Sequence, residues 1–514
     1  MLLAIKVKII GCQNGQGTGL RIEFGLDRSD CRRWLLKLRE EIERAGHCVR
    51  FHIQDENVAP DRALDHLLAA EKYLFGPGER AWEPLAPQEL DQPELVKQEP
   101  APEDGQPLSA CRINLSGGNA AGASPDLQLR LDGRPGIASC ARSLISGRIP
   151  LVGLHRADGS IAASGLPAVE EPEILTRACA QFTARIGTLI LMAIDGQPRT
   201  ETRSGYRSPK PSRRHPYLFG LRSFTSKVAR RLFGTRLNAD HWRVGLRPVR
   251  GPLAVDCDIL IEDFEWLADD GLRYYADPVL WVEGERTFLF VEEYPYATER
   301  GIIAYTELDE TGRPLFTPRP IIERKTHLSY PFIFRHAGAL YMMPENAAEG
   351  HVPLYRAKHF PDVWEEVAPL VPDIGLHDAT LFEHDGGWWL FGNEARQGGS
   401  SWDCLLIFRG ETPLGPFAPH AANPVIVDGR VARSGGPILR KDGKLLRPAQ
   451  SCLGGYGRFL RFLEIETLTM ETFSQRGRGR MLAPLGSTIA GVHTHARTDR
   501  FEAIDALTPR AFRG

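Results

Sequence analysis

The chain has 514 residues, 42% of them hydrophobic and 25% charged, which is enough for two or three domains with substantial cores. Its formal net charge of -2 offers no global attraction for nucleic acid. No run of about 18 uncharged apolar residues suggests a membrane-spanning helix, and the alternating first ten residues are too short for a signal peptide.

The first segment opens with a strand at Ile5 to Ile10, a Gly-rich turn from Gly11 to Gly17, an amphipathic helix near Ser29 to Ala45, and a second strand at Cys48 to Ile53. This order predicts an α/β, Rossmann-like unit. Its glycines do not form GxGxxG directly before a helix, so they read as a connecting turn rather than a dinucleotide site. Residues 83–106, rich in Pro and Glu, read as a flexible or surface insertion. Structure is expected to resume at Cys111 to Gly118 and to close with a helix around Pro172 to Ala193, giving a first domain of residues 1–198. Nine cysteines with no CxxC pair and no regular spacing read as buried thiols in a reducing cytoplasm, not as a zinc site.

Residues 199–238 form a basic linker with eleven Lys or Arg and one acid, Glu201. Its second half interleaves Tyr217, Leu218, Phe219, Phe224, Val228, Leu232 and Phe233 with Arg222, Lys227, Arg230, Arg231 and Arg236. Such a segment over residues 217–236 either lies on an anionic membrane surface, placing the protein at the periphery of the inner membrane, or packs its apolar residues on a neighbouring domain.

Residues 239–514 carry a repeat. A turn-and-strand opening is followed 15 or 16 residues later by an acid or amide closing a second strand: Asp277 to Glu292, Tyr330 to Glu345, Asp378 to Glu394, and Ser434 to Gln450. The openings recur every 48 to 57 residues, and a fifth, Gly491 to His495, fits the same step. This is the spacing of β-propeller blades, so an all-β five-bladed propeller is predicted. In such hairpins the first strand leaves one rim and the second returns to it. Asp277, Glu292, Glu345, Asp378, Glu394, Gln450 and His493 should then converge on one acidic funnel. Such a funnel suits a polyhydroxylated ligand, because carboxylates accept hydrogen bonds from sugar hydroxyls and perform acid–base chemistry. The alternative is that some of these acids cap turns or pair with Arg. His493 and His495 flank Thr494 on a strand and should share a face, as a divalent-ion site or as structural histidines.

The motifs His241-Trp242-Arg243-Val244-Gly245, Tyr275-Ala276-Asp277-Pro278, Leu328-Ser329-Tyr330-Pro331 and Tyr341-Met342-Met343-Pro344-Glu345 carry a resemblance, continued by His377-Asp378-Ala379, Leu446-Arg447-Pro448-Ala449-Gln450 and Gly491-Val492-His493-Thr494. Over residues 238–505 the chain resembles the N-terminal domain of plant glucosamine inositolphosphorylceramide transferases and their bacterial relatives. That domain in turn resembles the five-bladed propellers of the arabinanase, xylosidase and invertase clan. The resemblance implies Asp277 as general base, Asp378 as the carboxylate that tunes the acid, and His493 as the blade-five histidine. Where the clan carries Glu-Gly-Pro for its general acid, this chain has Gly435-Gly436-Pro437, leaving Glu345 or Glu394 to substitute. The first domain is more weakly similar to formyltransferase-like α/β domains, through its β-α-β opening and Ile113-Asn114-Leu115-Ser116-Gly117.

Three functions follow from this pattern. The first is glycosyl transfer on a cell-envelope or lipid-linked glycan, from a sugar carried on a nucleotide or lipid, with Asp277, Asp378 and Glu345 catalytic. Glu292, Glu394, Arg447, Gln450, His493 and Tyr330 would then bind substrate, Arg447 near a phosphate or carboxylate. The second is sugar binding without catalysis, and the third is hydrolysis with a relocated acid. No cofactor or metal is assigned.

Overall fold

The structure is a computed structural model that describes residues 20–54, 61–75, 80–90, 110–118, 125–196, 215–233 and 241–509. Its contacts divide the chain into two units, one of residues 1–199, 204–228 and 396–400, the other of residues 200–203, 229–395 and 401–514.

The N-terminal unit runs β1 (Arg21–Asp27), α1 (Trp34–Arg44), β2 (Cys48–Gln54), α2 (Arg62–Phe75), α3 (Pro87–Leu90), β3 (Ala110–Asn114), β4 (Leu127–Leu131), β5 (Arg134–Pro135) and α4 (Cys140–Ile145). It continues with β6 (Val152–Arg156), β7 (Ile161–Gly165), α5 (Leu175–Ile194) and α6 (Pro216–Phe233), of which residues 216–228 belong to this unit. The predicted helix forms as α1 and buries Trp34, Leu35, Leu38 and Ile42, the i, i+4, i+8 face on which the prediction rested. The strand that precedes it is β1, which pairs in parallel with both β2 and β3. The predicted Ile5 to Ile10 strand and its Gly-rich turn lie outside the described residues.

The sheet order is β2-β1-β3-β4-β6-β7, with β6 antiparallel to both of its neighbours, β4 and β7. A short turn through Gly159 (φ 82°) joins β6 to β7, which makes the sheet mixed rather than doubly wound. The Asn114 amide is held by Gly118 O (2.7 Å) and Gln128 Oε1 (2.8 Å), and its Oδ1 accepts from Ser116 N–H (3.0 Å) and Oγ–H (2.9 Å). Asn114 thus shapes a turn, and nothing among the described residues of this unit supports the formyltransferase likeness. The Pro- and Glu-rich segment is not wholly a surface insertion: Leu85 and Leu90 are buried at its start. Of the described cysteines, Cys257 alone is exposed.

The second unit is a five-bladed β-propeller. After β8 (His241–Pro248), β9 (Ile259–Leu260) and β10 (Glu265–Trp266), the first blade is β11 (Arg273–Glu283), β12 (Arg286–Pro295), β13 (Ile302–Leu308) and β14 (Arg319–Ile322). The second is β15 (Ser329–His336), β16 (Ala339–Glu345), β17 (Tyr355–His359) and β18 (Val363–Glu366). The third is β19 (His377–His384), β20 (Gly387–Asn393), β21 (Cys404–Gly410) and β22 (Phe417–Pro419), with β23 (Ile426–Val427) beside β21. The fourth is β24 (Leu439–Lys441), β25 (Lys444–Ser451), β26 (Phe459–Leu468) and β27 (Phe473–Leu482), with β9 added at its edge. The fifth joins β28 (Gly491–Arg497) and β29 (Phe501–Thr508) to β8 and β10.

Strand β29 pairs antiparallel with β8 from Phe501↔Pro248 to Thr508↔His241, so both ends of the propeller segment share one blade and close the ring. Apolar faces pack blade on blade: Tyr330, Phe332 and Phe334 of β15 meet Leu381 and Leu390 of the third blade. Each fully buried side chain of this size contributes about 1.5–3 kcal/mol. Among the described residues no helix is long and apolar enough to cross a membrane.

Candidate functional site

The innermost strands β11, β15, β19 and β28 share one irregularity. Register slips by one between Ala276 and Val279, between Ser329 and Phe332, between His377 and Thr380, and between Val492 and His495. A bulge leaves two residues unpaired and re-aims them, here at the ring centre. Asp277, Tyr330 and Asp378 occupy the first unpaired position with φ of 49°, 43° and 48°, and His493 is their equivalent in the fifth blade. In the fourth blade a bridge between Ser434 and Ala449 puts Gly435 in that place. A Cβ there would run into Leu460 Cδ2 and lie 2.9 Å from His493 O, so packing itself keeps the clan's acid position without a side chain.

Between the first and fifth blades, Asp277 Oδ1 accepts from Thr494 Oγ–H (2.8 Å) and lies 3.0 Å from His493 Nε2, while Oδ2 accepts from the Tyr330 N–H (3.1 Å). On the other side of the imidazole, Nδ1 lies 3.0 Å from Asp505 Oδ1. Asp505 also accepts from the N–H groups of His493 (3.1 Å), Thr494 (2.8 Å) and Asp277 (2.9 Å). Burial pulls His493 down, but the Asp505 and Asp277 carboxylates outweigh it and lift the imidazole to about 10. Burial pushes Asp277 up, and His493 with the Thr494 hydroxyl brings it below its ordinary value. Oxygen and nitrogen atoms of Asp277, His493 and Asp505 lie within 4.8 Å of one another, as a cation site requires. Both ring nitrogens lie 3.0 Å from carboxylate oxygens, so the trio as it stands is held together as an internal ion pair.

Across the funnel, Asp378 Oδ2 accepts from Arg433 Nε–H (2.6 Å) and Gln450 Nε2–H (3.0 Å), and Oδ1 from Arg433 Nη2–H (3.3 Å). Glu345 accepts from the Asp378 N–H (3.0 Å), faces His377 Nδ1 at 2.7 Å, and lies 3.6 Å from Arg433. Burial pushes Glu345 up, but His377 and then Arg433 outweigh it and hold it well below the usual carboxylate range. Burial also pushes Asp378 up, Arg433 pulls it down, and Glu345 and Asp277 add to the upward push. Because both Asp378 oxygens receive N–H donors, it serves as the counter-ion of the buried Arg433.

Glu292 differs from these acids. It is buried beside Asp277, being paired through the backbone with Ala276, and its Oε1 has no hydrogen-bond partner. Burial first, and Asp277 second, push its carboxyl well above the ordinary value. His327 Nδ1 accepts from the Gly301 N–H (3.0 Å), which assigns the ring proton to Nε2, 3.3 Å from Glu292 Oε1. Aromatic rings crowd the same region: Tyr274 stacks on Tyr294 at 4.7 Å, His327 lies 5.9 Å from Tyr294, and Tyr456 lies 5.1 Å from His493 and 5.5 Å from Trp402. An open cavity of about 570 Å³ lies on the N-terminal unit along α1, lined by Arg33, Lys37, Arg39 and Arg80 with Glu40 and Glu43, of which Arg39 pairs with Glu43.

Residues 262–478 match the family model described as "Glucosamine inositolphosphorylceramide transferase 1, N-terminal". The propeller is similar to that N-terminal domain. Over 206 residues the chain is 36% identical to glucosamine inositolphosphorylceramide transferase 1 of Oryza sativa subsp. japonica and 34% identical to that of Arabidopsis thaliana. The matches cover 40% of this chain and 28% and 27% of those proteins, so the chain spans little more than a quarter of the curated relatives it matches. Among solved structures it is similar to Zg3597, a family 117 glycoside hydrolase of Zobellia galactanivorans, at 14% identity and TM-score 0.33, covering 51% of this chain and 90% of that one. It is similar also to the catalytic domain of the Coprinopsis cinerea GH62 α-L-arabinofuranosidase, at 14% identity and TM-score 0.36, covering 53% and 93%.

The structure brings Asp277, Glu292, Glu345, Asp378, Gln450 and His493 to the ring centre, as the repeat suggests. Four other expectations are corrected. Arg447 does not reach a phosphate position: its buried guanidinium donates to Val431 O, Ala432 O (3.1 Å) and Gln475 Oε1 (3.1 Å), and burial takes it down to about 9. Tyr330 contributes its N–H, while its ring sits in the core with its hydroxyl on Thr380 Oγ1 (2.9 Å). Asn393, not Glu394, takes the register position of Glu292 and Glu345, because it pairs with His377. His495 does not share a face with His493: the bulge breaks the alternation, and His495 Nε2 turns to Glu502 Oε1 at 2.7 Å.

Arg433 and Asp505 escaped sequence reasoning. Arg433 directly precedes the fourth opening, and a funnel of this many acids required a cation nearby. Asp505 was hidden because the fifth hairpin is shorter, pairing Val492 with Ala506.

Proposed function

We propose that the propeller is a carbohydrate-active site that transfers a glycosyl group to a hydroxyl acceptor, with Asp277 as base and Glu292 as proton donor. The observation that carries this reading is the split between these neighbouring carboxyls: Asp277 is lowered by His493 and Thr494, whereas Glu292 is raised by burial and by Asp277. Two carboxyls driven apart by their surroundings mark an acid and a base. Asp277 Oδ2 has one N–H donor, so a lone pair remains for an incoming hydroxyl.

In the reaction, the acceptor O–H would lose its proton to Asp277 as the new glycosidic C–O bond forms. Glu292 would protonate the departing oxygen as the old C–O bond breaks. Water would afterwards take the proton from Asp277 and return one to Glu292, and the His327 Nε2–H, 3.3 Å from Glu292 Oε1, faces the carboxylate meanwhile. Positioned proton donors of this kind supply about 10²- to 10⁴-fold in rate. Asp378 and Glu345, fixed by Arg433 and His377, act as positioned hydrogen-bond acceptors for sugar hydroxyls. The Tyr274, Tyr294 and Tyr456 rings offer flat apolar surface for a sugar's C–H face. The name of the plant relatives supports glucosamine as the transferred group and an inositolphosphoryl lipid head as the acceptor.

The test is glycan-array and nucleotide-sugar binding by the purified protein beside Asp277→Ala, with product analysis on each hit. Sugar binding with turnover that the variant loses supports transfer, and a free sugar as sole product moves the reading to hydrolysis. Binding without product favours a noncatalytic sugar-binding protein, a second reading that Gly435 at the clan's acid position supports.

A further inference from the structure

Helix α6 has two unlike faces. One packs on the N-terminal unit: Ser223 is buried with its Oγ donating to Glu173 O (2.6 Å), and a Cβ on Gly220 would come within 2.9 Å of Leu67 in α2. Away from that contact the helix carries Leu218, Leu221 and Phe224, which are 66%, 60% and 43% exposed, whereas the Tyr217 hydroxyl lies 3.1 Å from His66 Nδ1 of α2. At 100° per residue these three positions fall within an arc of about 120°, so they form one apolar stripe.

The charge of the sequence segment that holds this stripe is almost wholly of one sign. The helix sequence holds Arg222, Lys227, Arg230 and Arg231 and no acid, and residues 199–238 hold eleven Lys or Arg against Glu201 alone, in a chain whose total balance is -2. A docking protein partner with a purely apolar surface would leave that charge unanswered, and a second copy of this chain would oppose like charges. A surface that takes apolar side chains to shallow depth and also presents many negative charges satisfies both features.

We infer that α6 lies in the interface of an anionic phospholipid membrane, inserting Leu218, Leu221 and Phe224 between head groups while the exposed Arg222, adjacent to Leu218 on the helix surface, meets phosphates and the net positive charge of the segment adds attraction. The helix is too short of apolar residues to span, and its stripe-and-charge pattern is that of a segment lying in the membrane plane. Each basic residue near such a surface contributes on the order of a fivefold gain in partitioning at moderate salt.

The experiment is flotation of the full chain with vesicles of phosphatidylcholine alone and of phosphatidylcholine with 30 mol% phosphatidylserine (about the anionic content of a cytoplasmic leaflet), at low and physiological salt. The chain should float with the anionic vesicles, weakly or not at all with the neutral ones, and less at the higher salt. Leu218→Glu/Leu221→Glu should cut anionic binding at least about tenfold, with circular dichroism and thermal unfolding unchanged because both side chains are exposed. No binding to anionic vesicles, or equal binding by the double variant, overturns the inference. So does light scattering that finds a dimer in the wild type and a monomer in the variant, which would assign the stripe to a second copy of the chain.

Discussion

His493 Nε2 lies 3.0 Å from Asp277 Oδ1 while its Nδ1 lies 3.0 Å from Asp505 Oδ1, so one buried imidazole joins two carboxylates where the first and fifth blades meet. The same histidine therefore fixes the charge of the proposed base and helps close the propeller ring.

This bridge has a pH signature. His493 is raised from 6.5 to about 10 by its carboxylates, so its stabilisation is fully present below pH 6.5 and is lost as pH rises through about 10. Urea unfolding should show wild-type stability falling across that window more steeply than His493→Gln does. Parallel curves for the two proteins would show that the imidazole is neutral in the folded state.

Removing Arg433 strands two buried carboxylates, Asp378 and Glu345. Arg433→Met should cost about 3–5 kcal/mol in chemical denaturation, the usual result of breaking one side of a buried ion pair. Arg433→Lys should recover only part of it, because an ammonium cannot reproduce the Nε and Nη2 contacts with Asp378.

Glu292→Gln keeps the shape of the side chain and removes its proton. Sugar affinity should stay within a few-fold of wild type, while kcat falls about 10²- to 10⁴-fold. In the wild type, activity should decline as pH rises through the raised Glu292 value, because a general acid must be protonated to act. An unchanged kcat in the variant would remove Glu292 from the mechanism.

Gly435→Glu restores the clan's acid in sequence but not in space. Its Cβ would collide with Leu460 and approach His493 O, so the variant should lose about 1–3 kcal/mol of stability and gain no hydrolase activity. A melting temperature equal to wild type would show that the blade can accommodate the side chain.

Much of the propeller was legible because its signal is repeated: a turn, an apolar strand, a Gly-bearing turn and a closing acid or amide recur four times, and a periodic error is hard to make by chance. The bulge at each opening was not legible, and it decides side-chain direction. For that reason Tyr330 offers its N–H instead of its ring, and His495 parts from His493. Arg447 and Arg433 show the same limit, since both are buried arginines near the fourth opening and only tertiary packing separates the one held by carbonyls from the one held by Asp378. In the N-terminal unit α1 announced itself by periodicity, whereas the antiparallel β6–β7 end of the sheet depends on a single turn.

The most direct test is a mass-spectrometric product assay with UDP-activated amino sugars and inositolphosphoryl-lipid acceptors, run on wild type, Asp277→Asn and Glu292→Gln, with donor binding measured in parallel. The account predicts glycosylated lipid from the wild type and little from either variant, though both variants still bind the sugar donor. Undiminished product from both variants, or a wild type that binds no sugar, would contradict it.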